Sequence, residues 1–222
     1  MDVIIVSKTR MSSAACVGGV LANGRFVRLL DSNGYNQDLN TELEIGDVYT
    51  ITFSERNDKR PPHVEDILLT SMKYKFSFSS IEKMVKYLTD KLKVKIWRGS
   101  TDTLFDGKLQ WTSGGSGYIS ESGEIPDNSV GFWIPDRDLT RNDYNEKVRY
   151  SYPIRWRNIS FVGFQNPVDS IPAGTLVRVS LARWWSPNED EEKRCYLQLS
   201  GWYGLPEHES ENNDYEDEDL PF

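Results

Sequence analysis

Two cysteines, Cys16 and Cys195, stand far apart in 222 residues, and no C-x-x-C occurs. This excludes a disulfide framework and a structural zinc site of the usual spacing. Histidine is equally scarce, with His63 and His208 isolated from each other and from both cysteines. No apolar run approaches the roughly 18 residues of a membrane-crossing helix, and the run Val3-Ile4-Ile5-Val6 is too short for a secretory signal. A soluble cytoplasmic protein without membrane attachment is expected. The motifs G-x-x-x-x-G-K-[ST], G-x-S-x-G and H-E-x-x-H are all missing. No catalytic residue, metal ligand or cofactor is assigned, and a non-enzyme is expected.

One formal nuclease match remains. Pro135-Asp136 is followed more than 50 residues later by Glu191-Glu192-Lys193. Such a core needs its acid-x-Lys triplet on a strand, where two acids hold Mg²⁺ and the lysine steadies the attacking water. Here the triplet falls in the charged turn "PNEDEEKR", which argues against catalysis.

The formal net charge of −8 is unevenly distributed. Residues 207–222 hold eight acids and no Lys or Arg, so the preceding 206 residues carry 34 − 8 = 26 acids against 26 bases. The body is neutral and the tail carries the whole excess, as expected of a solvated interaction tail. Any nucleic-acid face on the body must then be a local basic patch.

The body reads mostly as strands. "DVIIVSK" opens with a β-branched run, "GRFVRLL" follows the turn signal "ANG", and "DVYTITF" alternates cleanly. "ERNDKRPPH" is polar and carries a proline pair, the composition of a loop. One helix is predicted in "SSIEKMVKYLTDKL", where Ile81, Met84, Val85, Leu88 and Leu92 share a face and Ser79 with Glu82 has capping-box spacing. The segment "TSGGSGYISESGE" is expected to be a mobile loop or a long hairpin. "EIGDVYTITF" and "PAGTLVRVSL" both place Gly before an alternating strand, a hint of internal duplication. The expected architecture is mainly β with one or a few helices: two OB-like small β-barrels and a disordered acidic tail. Its predicted divisions are a first barrel over 1–75, a helix and hairpin region connecting over 76–148, a second barrel portion over 149–205, and the tail over 206–222.

The opening "VSKTRM" with "CVGGVLANGRFVRLL", and the closing "LARWWSP" and "RCYLQLSGWYG", resemble bacterial proteins that carry a dual OB-containing domain. The likeness spans roughly residues 1–205. It implies two OB-type barrels and, by analogy of fold, nucleic-acid binding.

OB barrels hold single strands by stacking bases on aromatic rings while Lys and Arg follow the phosphates. In "RYSYPIRWR", Tyr150, Tyr152, Ile154 and Trp156 fall on one strand face and Arg149, Arg155 and Arg157 on the other, which suits an aromatic core with arginines outside. In "RVSLARWW", Val177, Val179, Leu181 and Arg183 alternate with Arg178, Ser180, Ala182 and Trp184. The second set is expected on the surface, where Arg178 and Trp184 could meet phosphates and bases. Arg183 and Trp185 near the strand end, and the group Lys8, Arg10 and Arg28, complete the nucleic-acid-binding candidates. The expected ligand is single-stranded DNA, with RNA as the alternative.

The last residues read "DYEDEDLPF". A terminal Phe offers a ring and a carboxylate together, a proline restricts the backbone, and acids steer the peptide toward basic surfaces. This ending resembles the acidic C-terminal tip of bacterial single-stranded-DNA-binding proteins. Asp217, Glu218 and Asp219 match its acids, and Leu220, Pro221 and Phe222 match its Ile-Pro-Phe. The resemblance implies recruitment of helicases, exonucleases or recombination mediators. A different reading is an adaptor or mimic that competes for tip-binding partners without touching DNA, as in phage defence. A third is an RNA- or nucleotide-sensing component whose tail matches by chance.

Overall fold

The opening run of the chain is apolar at every position because both of its faces are covered. In the computed structural model, which describes residues 1–11 and 13–204, it lies in strand β1 (Asp2–Met11). Val3 and Ile5 point into one core, and Ile4 and Val6 into another.

A hairpin joins β2 (Ala14–Leu21) to β3 (Phe26–Leu30), and Gly24 takes the left-handed conformation that its turn requires, with φ 83°. A two-residue strand β4 (Gln37–Asp38) borders β2, and β5 (Asp47–Glu55) and β6 (Asp66–Ser77) follow. The pairing order β1-β5-β6-β3-β2, with β2 returning to β1, closes a five-stranded barrel. Its pairs are antiparallel except β3 with β6. Val3, Ile5, Val17, Leu29, Ile51 and Ile67 are among the residues filling the interior.

Helix α1 (Ile81–Lys86) runs on into a π-helical turn over Tyr87–Lys91. The cap is Ser80 rather than the expected Ser79: Lys83 N donates to Ser80 Oγ at 3.3 Å, while Ser79 Oγ accepts from Lys83 Nζ. Strands β7 (Ile96–Gly99), β8 (Gln110–Trp111) and β9 (Gly117–Ser120) come next. The Gly/Ser-rich segment is thus a hairpin, and its second strand also pairs with the last strand of the chain.

The remaining strands are β10 (Val130–Pro135), β11 (Leu139–Arg141), β12 (Arg149–Tyr152), β13 (Arg157–Phe161), β14 (Ser170–Ile171), β15 (Leu176–Leu181) and β16 (Arg194–Tyr203). Their pairing runs β11-β12-β13-β16-β15-β10, and β13 lies parallel to β16 as β3 does to β6. Only Asp136-Arg137-Asp138 separates β10 from β11, so the two act as halves of one bent strand and bring the sheet round on itself. The second sheet thereby repeats the first, with β15 in the place of β5. Gly46 N donates to Ile5 O at 3.0 Å, and Gly174 N donates to Pro135 O at 2.9 Å, one equivalent contact in each half. Both glycines lie within the two segments whose likeness hinted at duplication, just before the strand, and both have positive φ.

The strands that repeat the first barrel therefore start at Val130, and β7 pairs parallel to β10 in the same sheet, whereas the sequence placed residues up to 148 in a connecting region. The irregular spacing of "SVGFWIPDRDLTR" concealed one strand broken in two. In "RYSYPIRWR", Tyr150 and Tyr152 are core as expected, but the strand stops there. Arg155 and Trp156 take positive φ in a short turn, which leaves Trp156 82% exposed and turns Arg157 inward onto Thr101 and Asp102.

A shared apolar layer joins the two halves. Ile4, Val6, Val20 and Val48 from the first barrel meet Phe132, Leu176 and Tyr203 from the second, with Met84 and Leu88 of the helical segment between them. The Tyr203 hydroxyl donates to Val6 O, and Arg10 N donates to Val162 O at 2.9 Å. Met84 is fully buried in this layer. Met84→Ala is expected to destabilise the protein by about 2–5 kcal/mol, read as a lower urea midpoint at unchanged slope. A loss below about 1 kcal/mol would show that the helix is not part of the cooperative core.

Candidate functional site

The loops between the fourth and fifth strands of the two barrels, residues 56–65 and 182–193, occupy equivalent places and meet at the junction. Trp184 Nε1 donates to Pro61 O at 2.8 Å. His63 Nε2 lies 3.3 and 3.1 Å from the carbonyl oxygens of Leu181 and Ala182. Carbonyls only accept, so Nε2 carries the proton and Nδ1 is bare. Loops of this position bear ligand contacts in OB barrels.

Charge converges on Asp66, whose side chain is 4% exposed. Arg28 Nη2 lies 2.5 Å from its Oδ2, Arg183 Nη2 2.9 Å and Arg56 Nη1 3.5 Å. Arg56 also pairs with Asp58 at 2.7 Å. Three guanidiniums thus face two carboxylates, leaving one positive charge in excess. Beside them, Arg60 lies 5.2 Å over the Trp184 ring and pairs with Glu121. Lys59 sits 2.5 Å from Glu55, whose pKa is lowered to about 2, chiefly by the hydrogen bond from Arg25. Together, Arg56, Lys59, Arg60, Arg183 and Trp184 line an outer groove of about 360 Å³.

The groove shares His63 and Arg183 with an inner cavity of about 290 Å³ between the barrels. Arg178 reaches into this cavity at 2% exposure, with its Nη1 unpartnered. Gly18 permits the approach, since a Cβ there would stand 2.8 Å from Arg178 Nη2 and would also collide with Ser7 Oγ. Burial pushes the Arg178 guanidinium pKa below its ordinary value. Burial likewise raises the pKa of Glu65, which accepts from Ser129 N at 2.6 Å and Ser129 Oγ at 2.8 Å.

The junction brings together Arg10, Arg28, Arg178 and Arg183. Trp184 joins them through the outer groove. Two placements differ from expectation. Arg178 is not on the outside, because the first barrel covers its face of β15. Lys8 is held by Glu44 at 2.7 Å and by Thr41 O at 2.8 Å, and does not line the junction cavity. Arg10 is exposed and lies 4.7 Å over the Phe164 ring. Trp185 is 56% exposed and packs on Tyr196 with ring centroids 6.3 Å apart. The tip, Asp217 to Phe222, lies outside the described residues. Sequence reasoning missed Arg56, Lys59, Arg60 and His63. Their one visible signal was four basic side chains, counting the histidine, within the loop "ERNDKRPPH".

The residues of the nuclease-like match have separate engagements. Asp136 accepts from Tyr152 OH at 2.7 Å, Glu191 from Asn188, and Glu192 from the hydroxyls of Ser120 and Ser122. Burial pushes the Cys195 thiol up to about 12, away from the reactive thiolate. No group of three metal-binding side chains comes together among the described residues, and no described helix is long and apolar enough to cross a membrane.

A five-stranded Greek-key barrel with a parallel pair between its third and fifth strands defines an OB-type fold, and that strand order occurs twice here. The chain belongs to the family defined by the dual OB-containing domain, whose model matches residues 1–202. No curated protein matches it. Among solved structures, one described as "Structural mimicry for functional antagonism" is similar at 10% identity and a TM-score of 0.32, covering 90% of this chain and 86% of that one.

His63 is buried, and burial, followed by the charge of Arg28, lowers its pKa from 6.5. The unfolded chain therefore takes up this proton at a higher pH than the folded one. Stability is expected to fall on acidification from about pH 7.5 to about 5.5. Glu65 titrates in the opposite sense, so His63→Gln is the informative comparison. Urea unfolding across this range should show a weaker acid loss in the variant, and identical slopes would contradict a neutral buried His63.

Proposed function

We propose that this protein is a non-catalytic binder of single-stranded nucleic acid, DNA rather than RNA, and that its acidic Leu-Pro-Phe tip recruits genome-maintenance proteins. The observation that carries the reading is the meeting of the two equivalent loops, which sets Arg56, Lys59, Arg60 and Arg183 around Trp184. This combination of cations with an indole suits phosphates and a stacked base. The dual OB-type fold supports binding of nucleic acid or protein, and the neutral body makes such a localised basic groove necessary. The recruitment half rests on the resemblance of Asp217–Phe222 to acidic Pro-Phe tips.

The test is the affinity of the full chain for a labelled single strand as a function of salt. Trp184→Ala should weaken binding roughly 5- to 150-fold, the effect of one lost base stack at about 1–3 kcal/mol. Arg60→Ala should reduce the slope of log affinity against log salt by about 0.7. No measurable binding to single strands at low salt would sink the strand-binding half and favour the adaptor reading. Deleting Phe222 should abolish capture of a tip-binding helicase or exonuclease and leave strand affinity unchanged. Undiminished capture would exclude the recruitment half.

A further inference from the structure

Five buried side-chain polar atoms lack a hydrogen-bond partner among the described residues, and three of them, Arg28 Nε, His63 Nδ1 and Arg178 Nη1, belong to residues lining the inner cavity. Burial without a partner is costly for a neutral group and more so for a charged one, because the desolvation is not offset. Arg178 is the extreme case, with no ion-pair partner among the described residues. The Phe26 and Phe132 rings, 5.5 and 5.7 Å from its guanidinium carbon, offer some compensation. Such contacts compensate for less than an uncompensated buried charge costs. Among the described residues Glu65 is the one acid lining the cavity; Ser129 donates to its carboxyl group, and its charge favours the charged form of Arg178 without forming an ion pair with it. Among the described residues, the cavity lining thus carries more positive than negative charge and includes residues with unpartnered buried polar atoms.

We propose that this cavity is a binding site for a phosphate monoester, presented as the terminal phosphate of a single strand whose next nucleotides run past His63 and Arg183 into the outer groove. This deepens the strand-binding reading and rests on it. A terminal phosphate carries about −1.5 to −2 charges and three free acceptor oxygens. Arg178 and Arg10 supply cations without ion-pair partners among the described residues, and Arg28 Nε supplies a further donor. The bare Nδ1 of His63 can accept from a phosphate oxygen that still holds its proton. An internal phosphodiester fits less well, because it carries one charge and needs an exit on both sides. Arg178 lies against Gly18 at 2% exposure, a depth that favours a chain end over a strand passing along the surface. The volume of about 290 Å³ is near the lower limit of small-molecule sites, room for one nucleotide.

The experiment compares the full chain's affinity for a short oligothymidylate with a phosphate or a hydroxyl at the 5′ end, then at the 3′ end, with the fluorophore at the opposite end. Inorganic phosphate and thymidine monophosphate serve as competitors. One phosphorylated end is expected to bind about tenfold more tightly than its hydroxyl counterpart. Arg178→Met, which keeps the volume and removes the charge, should abolish that preference, so that the phosphate- and hydroxyl-ended strands bind alike. Should this variant not fold, the comparison of ends in the unmodified protein decides alone. Strand binding indifferent to phosphorylation at both ends overturns the phosphate site and leaves the groove reading intact. Monophosphate binding that depends on Arg178, without strand binding of any kind, supports the phosphate site and overturns the strand reading.

Discussion

A strand with two apolar faces cannot be satisfied by one barrel. β1 fills its own barrel with Val3 and Ile5, and Ile4 and Val6 then require a second apolar surface. β10 has the same demand, with Trp133 in the second core and Phe132 in the shared layer. The two barrels meet because each carries a strand that water would otherwise wet on one face. The helical segment fills the remaining gap with Met84 and Leu88. The equivalent loops meet at this junction, and the groove and inner cavity take their place from it.

The charge pattern follows from the same junction. A face of β15 that would be solvated in a lone barrel is covered by the first barrel, which takes Arg178 out of water without an ion-pair partner among the described residues. Asp66, by contrast, is surrounded by more guanidiniums than its single charge balances. An internal salt bridge that neutralised both sites would make a quieter interface. What the protein has is a positive recess bordered by Trp184, with Gly18 kept free of a side chain so that Arg178 fits. Such a recess suits an anionic guest.

Much of the fold was legible in the sequence because it rests on local signals. Two-residue alternation identified β5 and β15, the turn signal "ANG" identified the first hairpin, and three-to-four-residue spacing identified the helix. The likeness of "EIGDVYTITF" to "PAGTLVRVSL" corresponds to two strands in equivalent places with the same glycine contact. Less legible was the bent strand of the second sheet, since its break at Asp136–Asp138 reads as a loop. The site was partly legible. Arg178, Arg183 and Trp184 stood out as basic and aromatic neighbours, but alternation assigns residues to two faces without saying which face another domain will cover. Arg56, Lys59 and Arg60 sit in a loop without periodicity, and their proximity to Trp184 depends on contacts more than 100 residues apart, such as Trp184 with Pro61.

The sequence by itself determined the β character, the neutral body with its acidic end, and the aromatic and basic residues available for binding. These depend on composition and on periodicities of two and 3.6 residues, which are properties of short stretches. Only the tertiary structure decided that the barrels share an apolar layer, that Arg178 is buried rather than displayed, and that two distant loops form one groove. Those outcomes depend on which surfaces exclude water from each other, and no local stretch of chain specifies that.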